Sequence, residues 1–505
     1  MRLLTYRLVS VPLLLTGLLA ADHPNHPGHP GKTSVIQISS TSPFDDCFDD
    51  HPDSQAGTVF ADSEVEPWVA VDPKNKKHIV ATWQQDRWSN GGARGIVTAV
   101  TFDGGRSWTQ VPLPGLTLCS GGEFLRASDP WLSFTPAGDL YHITLVVDED
   151  LINLLVSGSP PEGRSAMLVQ KSSDGGLSWS RPVAIVDETF FGLHDKQSLT
   201  ADPFDPDIVY AVWDRLDFEN IAGPALFSRT IDGGMTWELP TVIYDPPGGQ
   251  TVANQIVVLP DGDVLNFFTN IEFSEESLSL AFKRSTDRGQ SWLPASAPVT
   301  VSSMEPSFNV VHPDTGAPIR GGEELFDVAV DRKRGTLYAV WQDARFGGGQ
   351  YESIAFSASR DGGHTWSAPI EINHTPPRVP AANRQAFIPS VAVDAAGLVA
   401  ITYYDFRFNG NEPEGLTDLW AITCRPKKKS DCLDAHAWRE TRLTDESFDI
   451  GAAPVAGGYF LGDYDGLAAL RNQFVAVFSV SSATDPADVV FVRFKKTGRG
   501  RRARH

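Results

Sequence analysis

Cysteine is scarce in this chain, with four among 505 residues: Cys47, Cys119, Cys424 and Cys432. No Cys/His metal-ligand spacing accompanies them, and neither a phosphate loop nor a Gly-x-Ser-x-Gly elbow is present. No metal and no cofactor are therefore expected. Basic residues are in deficit, 42 against 63 acidic ones, for a formal net charge of −21. That balance argues against nucleic acid or an anionic membrane as partner. Beyond the N-terminus no apolar run approaches the roughly 20 residues of a membrane-spanning helix.

The N-terminal run has a different character. Arg2 and Arg7 precede the apolar stretch 8–20, the pattern of a secretory signal over residues 1–21. Residues 22–32 are a His/Pro/Gly-rich linker, residues 33–494 the globular domain, and residues 495–505 a basic tail. A secreted monomer is expected. In an oxidising compartment the four cysteines form disulfides, with three pairings possible. The preferred one closes the short Cys424–Cys432 loop and leaves Cys47 to fasten the N-terminal segment through Cys119. Asn373-His-Thr375 is one possible glycan acceptor.

What the chain has in abundance is repetition. Five octapeptides read Ser/Thr-x-Asp-x-Gly-x-Ser/Thr-Trp, running 101–108, 172–179, 230–237, 285–292 and 359–366. Their aspartates are Asp103, Asp174, Asp232, Asp287 and Asp361. Each Asp can accept hydrogen bonds from its own turn, and the Gly two places on permits φ > 0. Two short apolar runs precede each turn and recur seven times, as in Trp68-Val-Ala-Val-Asp72 followed by Ile79-Val-Ala-Thr-Trp83. Such β-branched and aromatic runs between Gly, Pro, Asp and Asn are strands, four to a repeat.

The octapeptide resembles the Asp-box, or BNR repeat, of the sialidase-like β-propellers, and the likeness extends from about Ser34 to Arg493. It implies an all-β propeller of four-stranded blades, with the boxes on the face away from the active site. The working face then carries the entries to the first strands and the exits from the second. Seven copies of the runs indicate seven blades, with six, the usual sialidase number, as the alternative. The seventh repeat supplies three strands, and Thr33-Ser-Val-Ile-Gln-Ile38 can provide its fourth, closing the ring.

On that working face, residues repeated in many blades are scaffold and residues that break the repeat are candidates. Asp86-Arg87, Asp214-Arg215, Asp343-Ala-Arg345 and Asp405-Phe-Arg407 recur and are read as ion pairs, although an Arg among them can still face a ligand. At the first-strand entries, lining up the apolar runs places Glu66, Asp129, Lys196, Asn254, Leu325, Ile388 and Tyr464 at one equivalent position. Glu64, Arg126, His194, Asp195, Arg384, Asp463 and Asp465 lie close by in sequence.

Carboxylates, cations, a His and a Tyr around one well suit a carbohydrate-active enzyme, and the resemblance points to a sialidase-like glycoside hydrolase. The catalytic candidates are Glu66, Asp129, Tyr464 and His194. Arg87, Arg126, Lys196, Arg384, Asp463 and Asp465 are the candidates for binding substrate. A sialidase would use Tyr464 as nucleophile, whereas an ordinary glycosidase would pair Glu66 with Asp129. A polysaccharide lyase would use His194, Lys196 and Tyr464 against a uronate. A non-catalytic glycan- or protein-binding propeller is the remaining reading. His142, where five other repeats have Ala, reads as a buried core residue.

Overall fold

The computed structural model describes residues 34–50, 57–148, 163–189, 192–217, 222–410, 414–426 and 431–495. The expected signal, linker and nearly all of the basic tail lie outside these residues.

The described chain is all-β, with only short 3₁₀ turns besides its strands. Its sheets are antiparallel meanders of four strands, and their first strands are Val59–Val71, Arg126–Phe134, Gly192–Ala201, Gly249–Val258, Phe326–Asp331, Ala386–Val393 and Gly466–Leu470. The first two meanders touch through one residue pair, Ala93 with Ala127, and so count as one eight-stranded sheet. The last contains Gly466–Leu470, Gln473–Val480 and Asp488–Phe494, and its outer strand is Ile36–Gln37 from the N-terminus. In sequence order each first strand packs beside the next, and Gly466–Leu470 packs back against Val59–Val71.

Each second strand is buried on both faces, as in Val209-Tyr-Ala-Val-Trp213, because apolar clusters lie between successive sheets. The Asp turns join third and fourth strands and tie these layers together. In the turn at 230–237, Asp232 Oδ1 accepts from the Thr236 amide at 2.9 Å while Thr230 Oγ1 donates to the same oxygen at 2.8 Å. The other four turns repeat this geometry. The turn Trp reaches the preceding sheet: Trp108 meets Phe491, Trp292 meets Phe227 and Trp366 meets Phe267, each edge to face. In the sixth meander, which lacks the turn, the buried Trp438 makes the same contact with Phe356.

Both disulfides, Cys47–Cys119 and Cys424–Cys432, are present. His142 is fully buried beneath Trp179, and burial drives its pKa down to about 3, so it is a neutral core residue. Asn373 is also buried, and its side-chain oxygen accepts from the Ile354 amide at 2.8 Å, which makes it structural rather than a glycan acceptor. Among the described residues no helix is long and apolar enough to cross a membrane.

Candidate functional site

Five first strands carry a β-bulge at the same place, and each bulge holds a non-glycine residue at positive φ. The residues are Glu66 (φ 53°), Asp129 (φ 55°), Lys196 (φ 46°), Ala253 (φ 61°) and Ile388 (φ 51°). A bulge re-aims the side chain it carries, and left-handed backbone in such residues is strained. The register corrects the sequence alignment by one position in the fourth repeat, where Ala253 and not Asn254 is the bulge residue. Leu325 and Tyr464 precede strands without this bulge.

The bulges bring Glu66, Asp129 and Lys196 together from three consecutive sheets. Lys196 Nζ lies 3.2 Å from Asp129 Oδ2 and 3.8 Å from Glu66 Oε1, and it also pairs with Asp463. Arg320 Nε donates to Asp463 Oδ1 at 2.8 Å. Gln84 Nε2 donates to Glu66 and, at 3.1 Å, to Ser128 Oγ, while Ser128 in turn donates to Asp129. Arg87 joins behind, donating to Gln84 Oε1 at 2.6 Å. The Arg87 and Arg320 guanidiniums both lie over the Phe460 ring, 4.7 and 4.6 Å from its centre.

These contacts separate the two carboxyls chemically. Burial, reinforced by the nearby Asp129 charge, pushes Glu66 up to about 8. Asp129 is equally buried, yet Lys196 and the Ser128 hydroxyl outweigh burial and hold it below its usual range. Arg320 and Lys196 do the same for Asp463. At neutral pH the cluster therefore holds a neutral Glu66 beside ionised Asp129 and Asp463, an arrangement suited to acid/base chemistry.

Asp129, Lys196 and Asp463 of the cluster, together with Trp68, Trp131 and Tyr464, line a cavity of about 30 Å³. This is room for a water or two. Trp68 and Trp131 stack at 3.4 Å, and Tyr464 meets both edge-on while its hydroxyl donates to the Pro130 carbonyl at 3.3 Å. Burial holds the Tyr464 phenol well above its ordinary pKa. On the partly exposed side of the cluster stand Asp195, Arg320 and Glu324, whose charges act on it. We call this side the axial mouth.

The remaining sequence candidates stand apart. Arg126 packs on Trp88 at 4.3 Å and donates to Asn90 Oδ1 at 2.6 Å. His194 accepts from the Trp213 indole at 2.9 Å and faces Glu188 at 3.6 Å. Arg384 donates to the Val379 carbonyl at 2.7 Å and lies over Tyr351. Asp465 is buried beside Tyr404, and its carboxyl is held well above the usual range by burial. Asp343–Arg345 and Asp405–Arg407 are ion pairs at 2.7 and 2.5 Å, whereas Arg87 and Arg215 each turn away from the preceding Asp. Arg320, Gln84 and Glu324 were not found by sequence reasoning. Arg320 and Glu324 lie in the connection 305–325, which with 443–465 is one of the two longest between successive sheets. Its unusual length is the signal that could have drawn attention to it.

No protein-family model matches this chain, and no curated protein matches it in sequence. Solved structures similar to it include an α-L-arabinanase of Penicillium chrysogenum complexed with arabinobiose, at 12% identity and TM-score 0.45 over 92% of this chain and 99% of that one. Another is an α-L-arabinofuranosidase of Fusarium graminearum in complex with an iminosugar inhibitor, at 12% identity and TM-score 0.44 over 92% and 98%. A third is the Trypanosoma rangeli sialidase in complex with 2,3-difluorosialic acid, at 10% identity and TM-score 0.43 over 91% and 58%.

Proposed function

We propose that this chain is a secreted, seven-bladed β-propeller that acts on glycans as a glycoside hydrolase, with Glu66 as proton donor and Asp129 as its ionised partner. One observation carries the reading: two carboxyls in opposite protonation states sit against a single ammonium, each on a strained bulge of adjacent first strands. Strain of this kind persists where the surrounding structure enforces it, commonly at working sites. Lys196 keeps Asp129 charged, and Arg320 fixes Asp463 so that it does not compete for that ammonium alone. The unbroken succession of packed first strands supports the ring, and the two disulfides with the N-terminal apolar stretch support secretion.

Among the hydrolytic routes, the pair of carboxyls is favoured over a Tyr464 nucleophile, because that phenol is neutral and engaged with Pro130. A lyase built on His194 is disfavoured by its engagement with Trp213 and Glu188. Purified protein assayed against sialosides, uronic polysaccharides and neutral glycans should release reducing sugar without unsaturated product. Glu66→Gln and Asp129→Asn should each lower turnover by about 10²- to 10⁴-fold, the usual worth of a positioned acid or base. Absence of turnover on every glycan would leave the binding propeller as the reading, and unchanged turnover in both variants would remove Glu66 and Asp129 from the catalytic roles.

A further inference from the structure

Across from the residue that precedes each bulge, the second strand places one facing side chain. The facing pairs are Val65–Gln84, Ser128–Leu145, Val252–Thr269 and Phe387–Tyr404. In the third meander the pair is Asp195–Asp214. By this register Asp214 stands two positions short of Asp86, so the likeness of Asp214-Arg215 to Asp86-Arg87 in sequence does not hold in space.

Elsewhere the polar members of these pairs are engaged. Gln84 holds Glu66, Thr269 Oγ1 donates to the Glu324 carbonyl at 2.7 Å, and Tyr404 donates to the Ser479 carbonyl at 2.9 Å. Asp214 is fully buried, and neither carboxyl oxygen has a hydrogen-bond partner among the described residues. Arg215 beside it turns instead to Glu188 at 2.9 Å and Asp217 at 3.4 Å. Directly facing residues of an antiparallel pair have Cβ atoms about 4.5–5.5 Å apart, and like charges there are destabilising. Two such carboxyls retain a proton between them. The charged groups acting on the pair are Lys196 and Asp129, with Arg320 acting on Asp195.

We propose that Asp195 and Asp214 share one proton, with Asp214 a neutral donor that positions an ionised Asp195 at the axial mouth beside Lys196. This rests on the axial cluster being the ligand site and adds to it a third carboxylate, suited to accept hydrogen bonds from ligand hydroxyls. Burial holds the Asp214 carboxyl well above its usual range. Burial also lifts Asp195, against the pull of Lys196, to about 6.

The test is a pH titration of the ligand-free, full-length protein by difference infrared spectroscopy with ¹³C-carboxyl-labelled aspartate. Asp214 should give a neutral-acid band at neutral pH that is missing in Asp214→Asn. A signal titrating near 6 should be missing in Asp195→Asn. Asp214→Leu should raise the Asp195 midpoint by about one pH unit, a tenfold change in proton affinity, and Asp214→Asn, which retains a donor, should restore it. An ionised Asp214 at neutral pH, or an Asp195 midpoint unmoved in Asp214→Leu, overturns the proposal. If Asp214→Leu does not fold, the band assignments from the two Asn variants decide it. No substrate is present in these titrations, so they succeed or fail separately from any assay of glycan turnover.

Discussion

Lys196 is the residue on which the site balances. Its ammonium is nearly buried and answers three carboxyls, so removing it strands charge where water cannot compensate. Lys196→Met is expected to cost about 3–5 kcal/mol in denaturant unfolding, the range for breaking one partner out of a buried ion pair. It should also raise the Asp129 and Asp463 carboxyls, both of which Lys196 holds low. The neutral form of Glu66 has its own signature. If Glu66 donates the proton, activity is full while that carboxyl is protonated and declines as pH rises through about 8, which a pH–rate profile would read directly. Glu66, Asp129 and Lys196 were legible in sequence because each departs from its repeat. Gln84, Arg320 and the isolation of Asp214 were not, since they depend on bulge register and on a long connection outside the repeated strands.

At the scale of the element, the Asp turn makes two demands that can be separated. The first is conformational: the residue after the Asp has positive φ in every copy, and it is Gly at 104, 175, 233 and 362 but Arg at 288. Gly233→Ala should therefore cost about 1 kcal/mol through backbone strain, since the added methyl would meet only Asp207 Oδ1 at 3.4 Å and Lys171 Nζ at 3.9 Å, ordinary contacts. Arg288→Gly should stabilise by up to about 1 kcal/mol, less the small worth of its exposed ion pair with Asp205. Denaturant midpoints of the two variants check both signs. The second demand is electrostatic. The neighbouring Thr236 and Ser291 hydroxyls hold Asp232 and Asp287 at about 2, and Thr365, against slight burial, does so for Asp361. Depressed carboxyls contribute stability that is complete above their unfolded pKa of about 3.9 and is lost as pH falls through the folded value. Acid unfolding should thus steepen between about pH 4 and 2, and Asp232→Asn should flatten it. The turn motif was fully readable in sequence, but the partner of its Trp was not. Period and spacing reveal that a Trp recurs, not that it crosses to the sheet before it.

At the scale of the whole molecule, the strand count, both disulfides and the N-terminal strand beside Asp488–Phe494 follow from features visible in the chain: apolar runs, cysteine spacing and a seventh repeat one strand short. Contacts between first strands were less legible, because they join residues distant in sequence through side chains of ordinary composition. Ile38 shows what the N-terminal strand contributes, buried with Val69, Val475 and Phe491 between the last sheet and the first. Deleting residues 34–39 should expose that layer and lower the thermal midpoint by several degrees. Calorimetry would also show a broader transition, because one joint in the succession of sheets would then open ahead of the rest.

The pairing of Ile36–Gln37 with Asp488–Phe494 also sets a schedule for biosynthesis. The strand made first must wait for the strand made last, so a ribosome that stops short of residue 488 releases a product lacking its final seam. Such a product is not a smaller version of the same molecule but one with two raw edges, ready to pair with each other's counterparts in neighbouring chains.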